Sequence, residues 1–115
     1  MGNNEITKLA ESLRQFAAER DWDQFHSPKN LACALSVEAS EILEHFQWLK
    51  EGETLSEEKK TLIALELADV LLYLTRLADK LGIDLISSAH QKLGLNAEKY
   101  PVDIVKGSSK KYTEY

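Results

Sequence analysis

Cysteine is nearly absent from this sequence. A single cysteine, Cys33, occurs among 115 residues, so no disulfide can form within the chain. This usage is typical of a reducing compartment, and the polar amino terminus has no signal-peptide pattern, so we expect a cytoplasmic protein. Because Cys33 lies in an apolar and helical context, packing is favoured over a role as a nucleophile.

Long apolar runs and an excess of positive charge are also missing. No run approaches the ~20 consecutive apolar residues that a membrane-spanning helix needs. With 19 acidic and 14 basic side chains, the formal net charge is −5, which argues against binding to nucleic acid or to an anionic membrane. A chain of this length is expected to form one domain with a modest core.

Helix-breaking residues are few, and the sequence shows no strand-like alternation, internal repeat or glycine-rich phosphate loop. Ser27 with Pro28 marks a helix start after a connector of residues 21–27, and Gly82 marks a helix end. Asp84 caps a fourth helix, which is disturbed or ended by Gly94, Asn96 and Pro101. The predicted helices therefore cover about 4–20, 28 to 48 or 50, 56–81, and the segment from 85 onward.

The third predicted helix is apolar on nearly every side. It carries one polar stripe, formed by Glu66, Asp69, Tyr73 and Arg76. A helix buried on most faces needs more neighbours than this short chain supplies, so we expect a homo-oligomer. Residues 1–105 are expected to form the domain, and residues 106–115 a basic, mobile tail.

Two acidic pairs interrupt otherwise apolar stretches of the second and third helices. Glu38 pairs with Glu41, and Glu66 pairs with Asp69. The i, i+3 spacing places each pair on one helical face. Four carboxylates facing a bundle interior would be very costly to bury unless a cation neutralised them. The pattern predicts a divalent metal site, the alternative being that each pair belongs to a solvated helix face.

The ligand chemistry narrows the choice of metal. Oxygen ligands favour Mg²⁺ or Mn²⁺ over zinc, and Mg²⁺ is usually completed by substrate phosphates, which points to nucleotide chemistry. A di-iron centre is the rival, and it normally needs Glu-x-x-His on two helices. Neither Glu41 with His45 nor the surroundings of His90 meet that requirement, so His45 is interpreted as a partly exposed helix residue.

Five short motifs occur in order along the chain: Phe25–Leu31, Glu38–Glu41, Phe46–Trp48, Glu66–Asp69 and Asn96–Pro101. Their residues and spacing resemble the MazG-like nucleotide pyrophosphohydrolases, most closely the dCTP pyrophosphatase branch, over roughly residues 5–112. The resemblance implies an all-α fold, a four-helix MazG-like bundle assembled as a dimer or dimer-of-dimers. It also implies Mg²⁺-dependent hydrolysis of a (deoxy)nucleoside triphosphate, such as dCTP or a modified pyrimidine dNTP, to the monophosphate and pyrophosphate, with Mn²⁺ as a possible substitute.

The resemblance further implies roles for individual residues. The metal-binding acids are Glu38, Glu41, Glu66 and Asp69, with Glu38 and Glu41 as the candidate catalytic residues. The substrate-binding residues are Trp22, His26, Trp48 and Tyr73 for the base and sugar, and Lys92, Asn96 and Tyr100 for the phosphate and sugar end. Many relatives carry an acid before the first metal-binding glutamate, proposed as general base. Here that position is Val37, which leaves the identity of the base open.

Some features keep two interpretations. Trp22 and Trp48 either sandwich a base, where stacking is worth ~1–3 kcal/mol, or serve ordinary packing. In one interpretation, the departing pyrophosphate is neutralised by Lys92 or by Lys110 and Lys111 of the tail. In the other, the tail only solubilises the chain. The whole protein is either this hydrolase or a non-catalytic helical interaction module of the same fold. The intact set of four acids favours the enzyme.

Overall fold

The described part of the chain is built from helices and turns. The structure is a computed structural model that describes residues 4–109 and Thr113. A short 3₁₀ turn spans Asp23–Phe25. The α-helices are α1 (Glu5–Glu19), α2 (Pro28–Glu44), α3 (Glu57–Lys80), α4 (Leu85–Lys99) and α5 (Val102–Val105). No strand occurs in this described part, so the predicted all-α class is confirmed.

Each of the four long helices begins with a side-chain cap. The capping residues are Asn4, Ser27, Ser56 and Asp84. Each side chain accepts a hydrogen bond from the backbone N–H three residues later, at 2.7 to 3.1 Å. Such a cap typically contributes about 1 kcal/mol because it satisfies a donor at the helix end that has no intrahelical partner. The helix starts predicted at Ser27 and Asp84 are confirmed.

α1 and α3 end in the same way, with one residue in the left-handed region. This residue is Gly82 after α3, with φ of 67°, and Asp21 after α1, with φ of 53°. Glycine adopts this conformation freely, whereas a residue with a Cβ is strained by roughly 1–2 kcal/mol, somewhat less for aspartate. The reversal at Asp21 lets Trp22 N–H donate to Ala17 O at 2.9 Å. The connector therefore turns back toward α1.

The predicted end of α2 is wrong, and that of α4 is correct at Pro101 but not at Gly94 or Asn96. α2 ends at Glu44 and not at 48 or 50, because residues 45 and 46 close tighter turns, with His45 N–H donating to Ile42 O at 3.1 Å. α4 runs without interruption through Gly94 and Asn96 to Lys99, and it ends just before Pro101 as predicted. A helical glycine costs about 1 kcal/mol relative to alanine, which does not suffice to end a helix.

The core of the chain is small. α3 contacts both α1 and α2. The buried apolar residues are Ala10, Ala17, Leu31, Ile63 and Ala78. Many larger apolar side chains of α2 and α3 remain exposed, including Leu43 (67%) and Leu65 (63%). Cys33, predicted to pack, is also exposed in the single chain. This surface is what the prediction of a homo-oligomer requires, and the oligomer stays a prediction.

The chain divides into two compact units, one ending at Ile83 and the other beginning at Asp84. The first contains α1 to α3, and the second contains α4 and α5. A single four-helix bundle and a domain boundary after residue 105 both stay predictions, and Lys110 and Lys111 of the tail lie outside the described residues. Among the described helices, none is long and apolar enough to span a membrane.

Candidate functional site

The two acidic pairs lie near one another on α2 and α3. Burial raises the pKa of Glu38, the neighbouring carboxyl of Glu41 raises it further, and the charges of Asp69 and Glu66 add smaller effects. A carboxyl group next to other carboxylates is harder to ionise because the like charges repel. The structure therefore brings the four acids into one electrostatically connected group, with Glu38, Glu41 and Glu66 half-buried and Asp69 exposed.

Two oxygens of this acidic group lack a hydrogen-bond partner. Oε2 of Glu38 and Oε2 of Glu66 are buried, and neither makes a hydrogen bond to any described residue. A buried acceptor left in this way costs ~1–3 kcal/mol, and more when it is charged. These oxygens are therefore suited to a ligand that supplies positive charge.

His45 also approaches the acidic group. Its Nε2 lies 2.6 Å from Glu66 Oε2, and the two side chains are 14% and 25% exposed. The contact is an ion pair only when the imidazole is protonated, and its angles do not make a hydrogen bond. His45 lies just after the end of α2 and not within a helix as predicted. In the sequence, the i, i+4 spacing of Glu41 and His45 is the feature that could have indicated a position of His45 near the acidic group.

The acidic group fits a hard divalent cation in its chemistry. It offers only carboxylate oxygens, which Mg²⁺ and Mn²⁺ prefer, and two of these oxygens are buried without a hydrogen bond. In the side-chain conformations present, no three His, Cys, Asp or Glu residues of the described chain converge on one ion position. A dication would offset the repulsion between the like charges of these carboxylates. The metal site stays a prediction.

An aromatic cavity lies beside this group. Its volume is about 210 Å³, and it is lined by Leu13, Phe16, Trp22, His26, Asp69, Leu72, Tyr73 and Arg76. The rings of Phe16 and Trp22 meet edge to face with centroids 5.7 Å apart, and Trp22 meets His26 at 6.4 Å. Pockets for whole drug-sized ligands measure ~300–1,000 Å³. This cavity suits one flat ring of a larger ligand.

Asp69 connects the cavity with the acidic group. Its carboxylate contributes to the raised pKa of Glu38, and the same residue lines the cavity with Tyr73, which lies one turn later on α3. A molecule that combines a flat ring with a group able to bind metal can therefore engage both features at once.

A buried arginine fixes the connector against α3. Arg76 is 6% exposed, and its NH2 donates to Asp23 Oδ1 at 2.7 Å while its Nε donates to His26 Nδ1 at 3.3 Å. Lys80 Nζ also donates to Asp23 Oδ1, at 2.5 Å, and this bond is the main cause of the lowered pKa of Asp23. The sequence placed Arg76 on the polar stripe of α3 but assigned it no role.

Trp48 does not meet Trp22 within the single chain. Trp48 is 85% exposed. Together with His45 and Lys59, it lines a different, shallow depression. The cavity lining contributed by the described residues includes Trp22 but not Trp48. An aromatic sandwich formed by the two tryptophans therefore stays a prediction.

The three substrate-binding residues predicted for the phosphate and sugar end lie in the second unit. Lys92 and Asn96 are on α4, and Tyr100 caps its carboxyl end. Their spacing of four residues places them near one face of the helix. Their contact with a substrate stays a prediction.

Comparison with known proteins identifies the family. Residues 33–115 match the MazG-like family, and the chain belongs to it. The chain is 43% identical to dCTP pyrophosphatase 1 of Homo sapiens over 104 residues, which cover 87% of this chain and 61% of that protein. The Rattus norvegicus dCTP pyrophosphatase 1 is 41% identical with the same coverage. This chain thus spans about three fifths of the length of these relatives.

A solved structure supports the same assignment. The crystal structure of a pyrophosphatase from Archaeoglobus fulgidus matches with a TM-score of 0.70 and 35% sequence identity, and the match covers 88% of this chain and 96% of that one. The resemblance deduced from the five sequence motifs is confirmed at the level of the family.

Proposed function

We propose that this protein hydrolyses a (deoxy)nucleoside triphosphate to the monophosphate and pyrophosphate, with Mg²⁺ as its cofactor. The position of Asp69 carries the proposal, because this residue belongs both to the acidic group and to the wall of the aromatic cavity. A nucleotide contains the same two elements, a flat base and a metal-binding phosphate chain. The identity of 43% to a dCTP pyrophosphatase supports dCTP or a modified pyrimidine deoxynucleotide as substrate.

The aromatic cavity would hold the base. Trp22 and Phe16 form its aromatic wall and His26 supplies a polar edge. Stacking of a base on an aromatic side chain is worth ~1–3 kcal/mol and tolerates any base, so selectivity must come from polar contacts. Tyr73, on the same wall, is positioned one turn from Asp69 and would contact the sugar.

The acidic group would serve the phosphate chain. A triphosphate and four carboxylates repel each other, so a divalent cation held by Glu38, Glu41, Glu66 and Asp69 would supply charge neutralisation, Lewis acidity and a bound water of lowered pKa. Hydrolysis breaks the link between the α- and β-phosphates, and water supplies the new oxygen and two protons. Val37 has no titratable group, so we assign proton acceptance to the catalytic pair Glu38 and Glu41.

Product analysis tests the proposal. The purified protein is incubated with Mg²⁺ and single nucleotides, namely dCTP, 5-methyl-dCTP, dTTP, dATP, dGTP and CTP, and the products are separated by ion-exchange chromatography. We expect dCMP and pyrophosphate in equal amounts, with no orthophosphate. The Asp69→Asn variant serves as the matched control and should be inactive.

Two outcomes would contradict this function. Release of orthophosphate would indicate cleavage at the terminal phosphate. Tight nucleotide binding without turnover of any compound in the panel would support the non-catalytic module instead.

A further inference from the structure

His26 accepts a hydrogen bond from Arg76, whose guanidinium can donate but cannot accept. Nε of Arg76 lies 3.3 Å from Nδ1 of His26, and the arginine is almost fully buried. A guanidinium carries five N–H donors and no acceptor, and it stays protonated in proteins. The Nδ1 atom must therefore use its lone pair in this bond.

Two carboxylates restrict rotation of the Arg76 guanidinium, so that Nε stays directed at His26. Its NH2 is bonded to Asp23 at 2.7 Å, and its NH1 lies 3.7 Å from Asp79. These two carboxylates hold the planar fork on either side and leave Nε for the imidazole. The arrangement joins residues about fifty positions apart in the sequence, on the connector and on α3.

The charges around the ring oppose its protonation. Burial lowers the pKa of His26, and the positive charges of Arg76 and Lys80 lower it further, whereas Asp23 acts in the opposite direction. Asp23 is itself bonded to both cations, so its charge is largely compensated. The other charged group that lines the same cavity is Asp69.

We propose that Arg76 is a positioning residue that fixes His26 as the neutral imidazole with its proton on Nε2, so that this side chain offers the cavity a hydrogen-bond donor. A histidine that was free to exchange tautomers would offer either a donor or an acceptor. The inference rests on the proposed function where it concerns the base. Cytosine presents two adjacent acceptors, N3 and O2, whereas uracil and thymine keep the acceptor at O2 but present an N–H donor at N3. A fixed donor directed at N3 therefore favours cytosine.

Kinetics of two variants test the effect on selectivity. Arg76→Met removes the donor to Nδ1, and Lys80→Met is the matched control, because it also removes a partner of Asp23 but leaves the bond to His26. We expect Arg76→Met to raise KM for dCTP about tenfold, as for one lost hydrogen bond, with little change for dTTP or in kcat. Lys80→Met should keep the wild-type preference. An equal rise in KM for all nucleotides would overturn the effect on selectivity.

Nuclear magnetic resonance of the imidazole nitrogens tests the tautomer directly and without any nucleotide. In the wild-type protein at neutral pH, Nδ1 of His26 should show the shift of an unprotonated nitrogen and Nε2 that of a protonated one. His45→Gln and His90→Gln identify the signals, and the Arg76→Met spectrum should show averaging between tautomers. A proton on Nδ1, or a doubly protonated ring, in the wild-type protein would overturn the proposal even if the enzyme hydrolyses dCTP. The predicted tautomer in a protein without hydrolase activity would instead count only against the proposed function.

Discussion

Nε2 of His45 lies 2.6 Å from Oε2 of Glu66, and this contact ties the turn after α2 to the acidic group on α3. The same oxygen is one of the two buried carboxylate oxygens that make no hydrogen bond to a described residue. A metal ion bound to this oxygen would bring positive charge next to the imidazole of His45 and change its environment. The contact therefore gives a way to observe metal binding without measuring turnover.

We expect Mg²⁺ to change the environment of His45. Titration of the wild-type protein with Mg²⁺ should shift the imidazole signals of His45 in nuclear magnetic resonance spectra. The signals of His90, which is exposed on α4 in the other unit, should stay in place. In Glu66→Gln the shift should be lost or need much more Mg²⁺, because the variant removes a ligand charge without changing the side-chain volume. An unchanged His45 at saturating Mg²⁺ would argue against Glu66 as a ligand.

Charge removal in the acidic group should abolish turnover. Glu41→Gln and Glu66→Gln should each lower kcat/KM by at least about a hundredfold, or ~2.7 kcal/mol, because each removes one carboxylate from the predicted metal site. Circular dichroism should show an unchanged helical content. Glu44→Gln is the matched control on α2, since Glu44 is an exposed acid that also pairs with Glu41 by sequence spacing. Near-wild-type turnover in both variants would show that the site assignment is wrong.

The contributions of the two tryptophans to base binding can be tested separately. Trp22→Ala removes a wall of the aromatic cavity and should weaken substrate binding by roughly 1–3 kcal/mol, seen mainly in KM. If Trp48 also stacks on the base, Trp48→Ala should have a similar effect, and metal binding should survive in both variants. Isothermal titration of Mg²⁺ and steady-state kinetics measure the two properties separately. A Trp48→Ala protein that dissociates into monomers with an unaltered KM would support a packing role.

The exposed apolar side chains of α2 and α3 predict self-association. We expect at least a dimer, and a tetramer in preference to a dimer, at micromolar concentration, because burying these large exposed apolar side chains between subunits is favourable. Leu65→Lys should reduce the assembly, whereas Glu11→Lys on the exposed side of α1 should not. Multi-angle light scattering gives the mass. A stable species of 13.0 kDa for the wild-type protein would contradict this prediction.

Features that depend on neighbouring residues could be predicted from the sequence. The caps at Ser27 and Asp84 and the left-handed glycine at Gly82 follow from local backbone chemistry, and the structure has all three. The acidic pairs were found for the same reason, since i, i+3 spacing alone places each pair on one face. The family resemblance then supplied the roles that spacing cannot give.

Features that depend on distant residues could not be predicted. Asp21 adopts a left-handed conformation that the sequence would assign to a glycine. Arg76 and His26 are fifty positions apart in the sequence, so no local pattern predicts the hydrogen bond between them. The end of α2 at Glu44 could not be predicted either, because it depends on the following turn, which places His45 against α3.

The connector should make stability depend on pH. The folded protein lowers the pKa of His26, through burial and the charges of Arg76 and Lys80, so the unfolded chain binds this proton more readily. The contribution of His26 is therefore fully present above the unfolded value of about 6.5 and is lost as the pH falls toward its folded pKa. The lowered pKa of Asp23 acts in the same direction, but only as the pH falls below its ordinary value of 3.8. The raised pKa of Glu38 acts in the opposite direction, so the test is a comparison of variants. In urea unfolding between neutral pH and about pH 5, His26→Gln should lose less stability on acidification than His90→Gln does. Equal slopes in wild type and His26→Gln would mean that the imidazole is not held in its neutral form.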